Sequence, residues 1–103
     1  MNLTKAEQLK NIIKKIDLEE IKNFPEFAKS QTLKKIFYQS KRAINSDDEK
    51  EVENLATKIA YSLYNLANKT GYIKDDEKKQ NYLAISKELF ENTVGYYEKE
   101  VEK

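Results

Sequence analysis

The 103-residue sequence contains no cysteine, no histidine and no tryptophan. Without cysteine the chain has no disulfide, no thiolate nucleophile and no cysteine-based zinc cluster. Without histidine it lacks the commonest general base and the commonest metal ligand of proteins. Ser–His and Cys–His nucleophile pairs are therefore excluded. We expect a binding protein without a cofactor or a bound metal, and we do not expect an enzyme.

Turn-forming residues are also scarce, with only two glycines and one proline. An all-β fold needs many more of them. Apolar residues make up 39% and charged residues 36% of the chain, and the apolar ones are spread along its whole length. This composition favours an ordered bundle of short helices with a charged surface. The length suits one domain, which we place at residues 1–103.

The sequence has no excess of charge of one sign. Nineteen basic and eighteen acidic residues interleave, and the formal net charge is +1. A dedicated nucleic-acid binder usually shows a basic stripe, so we expect no nucleic-acid partner. The first residues lack the apolar core of a signal peptide, and no apolar run approaches the ~18 residues that cross a bilayer. We therefore expect a soluble, cytoplasmic protein.

Capping signals predict the first two helices. Thr4 and Glu7 match a capping box, and apolar residues follow at helical spacing. A second box at Asp17-Leu18-Glu19-Glu20 would continue or restart this helix. Phe24-Pro25 interrupts the pattern because proline disfavours a helical conformation in the residue before it. The second helix is predicted to begin at Pro25 or slightly later, with Ser30 as the alternative cap.

Two further helices follow. Ser46 and Glu49 match another capping box, and Gly71 is well placed to end the third helix in a left-handed conformation. Asp75 or Asp76 caps the fourth. The third helix carries the strongest apolar stripe, which consists of Val52, Leu55, Ala56, Ile59, Ala60, Leu63, Leu66 and Ala67. Four amphipathic helices with short links predict an all-α fold, an antiparallel up-down four-helix bundle.

Acidic runs and lysine pairs are weak candidates for a site. The acidic runs lie at predicted helix N-termini, where carboxylates are favoured in any case, and they lack the spacing of a calcium loop. The lysine pairs are typical of solvated helix faces. They are spread over three predicted helices and do not define one patch. The pairs are Lys14-Lys15, Lys34-Lys35, Lys41-Arg42 and Lys78-Lys79.

The seven tyrosines are more informative. Tyr61, Tyr64 and Tyr82 are expected in the core or at its edge, because a phenol can bury its ring and keep its hydroxyl in water. Tyr72 lies in a predicted loop, and the Tyr96-Tyr97 pair follows a glycine near the end. Exposed aromatic side chains are enriched at binding surfaces. These three tyrosines either bind a partner or close the open ends of the bundle.

Three stretches of sequence resemble a known family. They are Leu33-Lys34-Lys35-Ile36-Phe37-Tyr38, the run Leu55-Ala56-Thr57-Lys58-Ile59-Ala60-Tyr61-Ser62-Leu63-Tyr64, and the turn Lys69-Thr70-Gly71-Tyr72-Ile73 before an acidic, lysine-rich fourth helix. Together with the length and the helix count, they resemble the immunity proteins of pediocin-like bacteriocins, and the enterocin A type is the nearest kind. The resemblance covers half to two thirds of the chain and contains no diagnostic motif.

The resemblance implies a cytosolic antiparallel four-helix bundle without enzymatic activity, which protects the cell that produces the bacteriocin. Such proteins act from inside, on the mannose phosphotransferase permease that the bacteriocin uses as its receptor. Their C-terminal half tends to determine which bacteriocin is resisted. Here that half corresponds to the region from about Tyr72 onward. The family has no catalytic residues to transfer.

We therefore predict that the chain acts as a monomer on a permease with bound bacteriocin and makes peripheral contact with the membrane. The alternative is a small helical adaptor or regulatory protein that binds another soluble protein. The predicted partner-binding residues lie in the C-terminal third and are Tyr72, Lys78, Lys79, Lys87, Tyr96 and Tyr97.

Overall fold

The computed structural model describes residues 3–93, and this part of the chain contains helices and no strand. The all-α prediction is confirmed. The described part has five helices rather than four, because a short helix follows the first one. The helices are α1 (Lys5–Ile13), α2 (Leu18–Asn23), α3 (Gln31–Asn45), α4 (Glu49–Asn68) and α5 (Asp76–Thr93).

The first capping box forms as predicted. The backbone N–H of Thr4 donates to Glu7 Oε1 at 2.9 Å, and that of Glu7 donates to Thr4 Oγ1 at 3.1 Å. These hydrogen bonds, chiefly the one from the Thr4 backbone, lower the pKa of Glu7. Asp17 then accepts the backbone N–H of Glu20 at 3.1 Å, and this cap starts α2 as a separate helix.

The start of α3 corrects one of two predicted boundaries. The helix begins after Ser30, whose Oγ accepts the backbone N–H of Leu33 at 3.1 Å. The start at Pro25 is wrong, because residues 25–29 form turns. Phe24, which precedes the proline, has an extended backbone with φ −59° and ψ 135°. A helical conformation there would clash with the proline ring. The alternative cap at Ser30 is therefore the one used.

The link between α3 and α4 also differs from the prediction. Asp48, not Ser46, caps α4, and its carboxylate accepts the backbone N–H of Glu51 at 3.4 Å. Ser46 ends α3, and its hydroxyl donates to Glu51 Oε1 at 2.6 Å. That hydrogen bond, together with those from Arg42, lowers the pKa of Glu51. Two candidate caps stand two residues apart, and the helix begins directly after the second.

The core is built around α4, which packs against α1, α3 and α5. No Cα atoms of α3 and α5 lie within 8 Å of each other, so these two helices pack on different sides of α4. The predicted apolar stripe of α4 is buried along its whole length. The inner residues predicted for the first helix are buried as well, and they are Ala6, Leu9, Ile12 and Ile13 of α1 and Ile16 just after it.

The tyrosines of α4 and α5 lie at different depths. Tyr82 is buried and Tyr64 is half-buried. Tyr61 is 45% exposed and is therefore not a core residue. Its ring meets the edge of Phe90 at a centroid distance of 4.7 Å. The α4 stripe faces away from Tyr61, which explains why this ring packs from outside.

Gly71 has a φ of +74°, and a Cβ atom added there would meet nothing within 4 Å. Only the backbone conformation therefore opposes a larger residue. We expect Gly71→Ala to lower the free energy of unfolding by about 1–2 kcal/mol, the cost of a left-handed L-residue. Urea denaturation followed by circular dichroism measures this. Lys74→Ala in the same link serves as the control, with an expected change within about 0.5 kcal/mol. Equal effects of the two substitutions would contradict this account.

Candidate functional site

The segment that carries Tyr72 joins α4 to α5 and is held by hydrogen bonds. Thr70 Oγ1 donates to the Leu66 carbonyl at 2.9 Å and accepts the backbone N–H of Tyr72 at 3.1 Å. Ile73 is buried, and Tyr72 is half-buried against the core. Ile73 is thus the residue that fixes this segment to the core, and part of the Tyr72 side chain remains accessible to solvent.

Tyr72 lines an open groove of ≈ 560 Å³ between α2 and the α4–α5 link. A smaller groove of ≈ 240 Å³ adjoins it along α5 and shares Asp17, Glu20 and Lys78 with it. Tyr72, Phe24 and Pro25 give the larger groove an apolar part. The carboxylates of the two grooves outnumber their cations, Lys15 and Lys78, and are Asp17, Glu19, Glu20, Glu26, Asp75 and Glu77. The concave surface at this end of the molecule is therefore electronegative.

Glu20 connects the groove to α5. Its Oε1 accepts a hydrogen bond from the Tyr82 hydroxyl, and its Oε2 lies 3.0 Å from Lys78 Nζ. Burial and, after it, the Glu20 carboxylate raise the pKa of Tyr82. The phenol therefore stays protonated and acts as a donor. Lys78 therefore forms an intramolecular ion pair and is part of the groove wall.

The other predicted residues are placed differently. Lys79 is half-buried in the first turn of α5, and Lys87 is exposed. Lys78 and Lys87 are separated by about two and a half helical turns, so their side chains leave opposite sides of α5. The structure therefore brings Tyr72 and Lys78 together at the groove and places Lys87 on the outer surface. Tyr96 and Tyr97 lie outside residues 3–93.

α3 also carries a basic surface, which the sequence-based prediction of the site did not include. Residues 27–46 contain no aspartate or glutamate and five basic residues. Four of these five surround Tyr38 at spacings of three or four residues, which is one side of a helix. We call this surface the Tyr38 face, defined by Lys34, Lys35, Tyr38, Lys41 and Arg42. Two of the lysine pairs that seemed scattered therefore form one patch. The acid-free stretch was the signal that identifies it.

The carboxylates of the described residues were expected to cap helices rather than to bind metal. Within residues 3–93, no three or more carboxylates lie close enough together to hold a metal ion. The lowered pKa values belong to carboxylates at helix starts, and the raised one belongs to a buried phenol. No helix in this range has the length and hydropathy needed to cross a bilayer.

Comparisons of the chain with protein-family models, with curated proteins and with solved structures gave no match. The two surfaces that stand out are the groove beside Tyr72 and the Tyr38 face. They share no residue, because the two grooves contain no residue of α3.

Proposed function

We propose that the chain is a bacteriocin immunity protein. It protects the producing cell from a pediocin-like bacteriocin by acting at the cytoplasmic face of the mannose phosphotransferase permease. The observation that carries the proposal is the open groove beside Tyr72. It is concave, partly aromatic and charged. Two of its residues, Tyr72 and Lys78, come from the C-terminal half, which the family resemblance associates with choice of bacteriocin. A surface of this kind is suited to binding a protein segment.

The proposal includes the antiparallel four-helix bundle, formed by α1, α3, α4 and α5, with α2 as a short addition. Two ion pairs support opposite directions for the first part of the chain and α5. Lys15 pairs with Glu88 at 2.9 Å, whereas Glu20 pairs with Lys78 at 3.0 Å. From the first pair to the second, the residue number rises from 15 to 20 in the first part of the chain and falls from 88 to 78 in α5. The short links between α3, α4 and α5 favour the same alternation.

The rival function is that of a helical adaptor for another soluble protein. The excess of carboxylates in the two grooves favours this function, because a basic peptide segment of a soluble protein would be attracted to them. The two functions differ in where the partner is found. An immunity protein co-purifies with the permease from solubilised membranes when bacteriocin is present, whereas an adaptor co-purifies with a soluble protein in its absence.

Expression of the chain in a bacteriocin-sensitive strain, followed by challenge with a panel of pediocin-like peptides, tests the function and its site together. We expect the unchanged chain to raise the inhibitory concentration of at least one peptide. The triple variant Tyr72→Ser, Tyr96→Ser and Tyr97→Ser should abolish this protection, because it removes the aromatic anchors of the predicted surface. Its melting temperature should fall, because Tyr72 is half-buried against the core, so protection is compared at equal amounts of folded protein.

Two variants control this experiment. Tyr72→Phe keeps the ring against the core and should keep protection. Tyr61→Ser makes the same chemical change at an exposed ring of α4 and should also keep it. No protection against any peptide would overturn the function. Protection that falls only in proportion to the amount of folded protein would overturn the site and leave the function standing.

A further inference from the structure

The Tyr38 face is an outward helix surface that the core does not require. Tyr38 is 60% exposed, and Lys35, Lys41 and Arg42 around it are exposed as well. The inner side of α3 is supplied by other residues, which are Leu33, Ile36, Phe37, Ser40 and Ala43. The Tyr38 ring and the basic side chains around it therefore lie on the solvent-exposed side of α3, outside the set of residues that form the core.

Aromatic rings, rather than carboxylates, support this surface. The Phe37 ring centroid lies 5.0 Å from Lys41 Nζ and 5.9 Å from Lys22 Nζ. The Tyr38 ring stands edge-on to Phe37 at 5.1 Å, and Phe27 packs against both rings. Contact with an aromatic face holds an ammonium group without neutralising its charge. Lys41 thus keeps its positive charge available for an anion.

Arg42 is the exception in the Tyr38 face. Its guanidinium donates to Glu51 Oε2 at 2.7 and 3.1 Å, so its charge is largely compensated. Lys34, Lys35 and Lys41 form no ion pair with any carboxylate of residues 3–93. Three lysines and one tyrosine therefore remain to meet a partner.

We propose that the Tyr38 face docks on the surface of a membrane that contains anionic lipids. The face is the convex side of one helix, and neither of the two grooves includes a residue of α3. A convex face suits an extended surface better than it suits a peptide, which binds in a groove or along a sheet edge. Lysine stems reach phosphate head groups from such a face, and tyrosine favours the interface between head groups and acyl chains.

This inference goes beyond the proposed function and does not depend on it. The Tyr38 face shares no residue with the two grooves or with the predicted partner-binding residues, so it is not the surface predicted for the permease. Binding to lipid can be measured without bacteriocin or permease. Failure of one proposal therefore leaves the other standing.

Sedimentation of the full chain with vesicles tests the proposal. We use vesicles of phosphatidylcholine alone and of a two-to-one mixture of phosphatidylcholine and phosphatidylglycerol. The protein should bind the mixed vesicles at about 0.1 M salt and leave them at about 0.5 M, because salt screens surface charges. The triple variant Lys34→Gln, Lys35→Gln and Lys41→Gln should bind about 100-fold more weakly, since each lysine near an anionic surface contributes roughly fivefold.

The matched control removes three exposed lysines elsewhere, by Lys5→Gln, Lys14→Gln and Lys74→Gln. The net charge of the two triple variants is the same, so only position differs. The control should bind within about threefold of the unchanged chain, because its lysines lie outside the Tyr38 face. Equal weakening in both variants would show non-specific attraction and overturn the proposal, as would absence of binding to the mixed vesicles.

A single tryptophan reports the orientation, because the natural chain has none. In Tyr38→Trp, fluorescence should shift to shorter wavelength when mixed vesicles are added. Tyr61→Trp, at another exposed ring, should show no shift. A shift at position 61 and none at position 38 would place a different face on the lipid. Binding of a single-stranded oligonucleotide through the same three lysines, without binding to vesicles, would replace lipid with nucleic acid as the ligand.

Discussion

Leu63→Ala is expected to lower the free energy of unfolding by about 2–5 kcal/mol. Leu63 lies in α4, the helix that contacts three others, and its side chain is 0% exposed. Truncation removes apolar contacts and leaves a cavity, which the neighbouring helices can fill only in part. A loss of this size is a large share of the stability of a domain of this length. Urea denaturation followed by circular dichroism gives the difference.

Leu3→Ala is the matched control, because it makes the same chemical change at a leucine that is 49% exposed. We expect it to cost less than about 1 kcal/mol, since a surface substitution leaves no buried cavity. A loss well below 1 kcal/mol for Leu63→Ala would show that this side of α4 is not the centre of the core. Equal losses at both positions would lead to the same conclusion.

Ser86→Leu is expected to cost about 2–4 kcal/mol. Ser86 on α5 is fully buried, and its Oγ donates to the Ala60 carbonyl of α4 at 2.7 Å. A serine side chain reaches the backbone of a neighbouring helix only where the two helices approach closely. Leucine has no space there and also loses the hydrogen bond, so overpacking of about 1–3 kcal/mol adds to about 1 kcal/mol.

Ser86→Ala separates these two contributions. It removes the hydroxyl without adding volume and should cost only about 1 kcal/mol. The Ala60 carbonyl keeps its place in the hydrogen-bond ladder of α4, so no polar group is left unpaired. Thermal and urea denaturation of both variants give the comparison. If leucine proves no more costly than alanine at this position, α4 and α5 are not held close by small residues.

The helices were predictable because their signals are local. The stripe from Val52 to Ala67 repeats at the helical period, and every one of its members is buried. The start of α4 was misplaced because Ser46 and Asp48 are both good caps. The choice between them depends on where α3 ends and on the hydrogen bond from Ser46 to Glu51. Boundaries of this kind depend on two helices at once, which one local pattern does not describe.

The site was harder to predict than the core. The role of Lys78 depends on Glu20, a residue far away in sequence that only the packing of α2 near α5 brings within reach. The Tyr38 face is not apparent from either of its basic pairs alone, because the two pairs form one surface only when they lie on the same side of a helix. Their common side follows from helical spacing, but which side of α3 remains uncovered follows from where α2 and α4 pack.

The central position of α4 has a consequence for how the chain folds. Its two main partners, α3 and α5, are also its neighbours in sequence, joined to it by short links. Each helix pair can form without closing a long loop, which keeps the entropic cost of the first contacts low. Domains with such local contacts fold within roughly microseconds to milliseconds. The docking of α1 and the contacts of α2 with α5 join distant parts of the chain, so these two helices complete the native state.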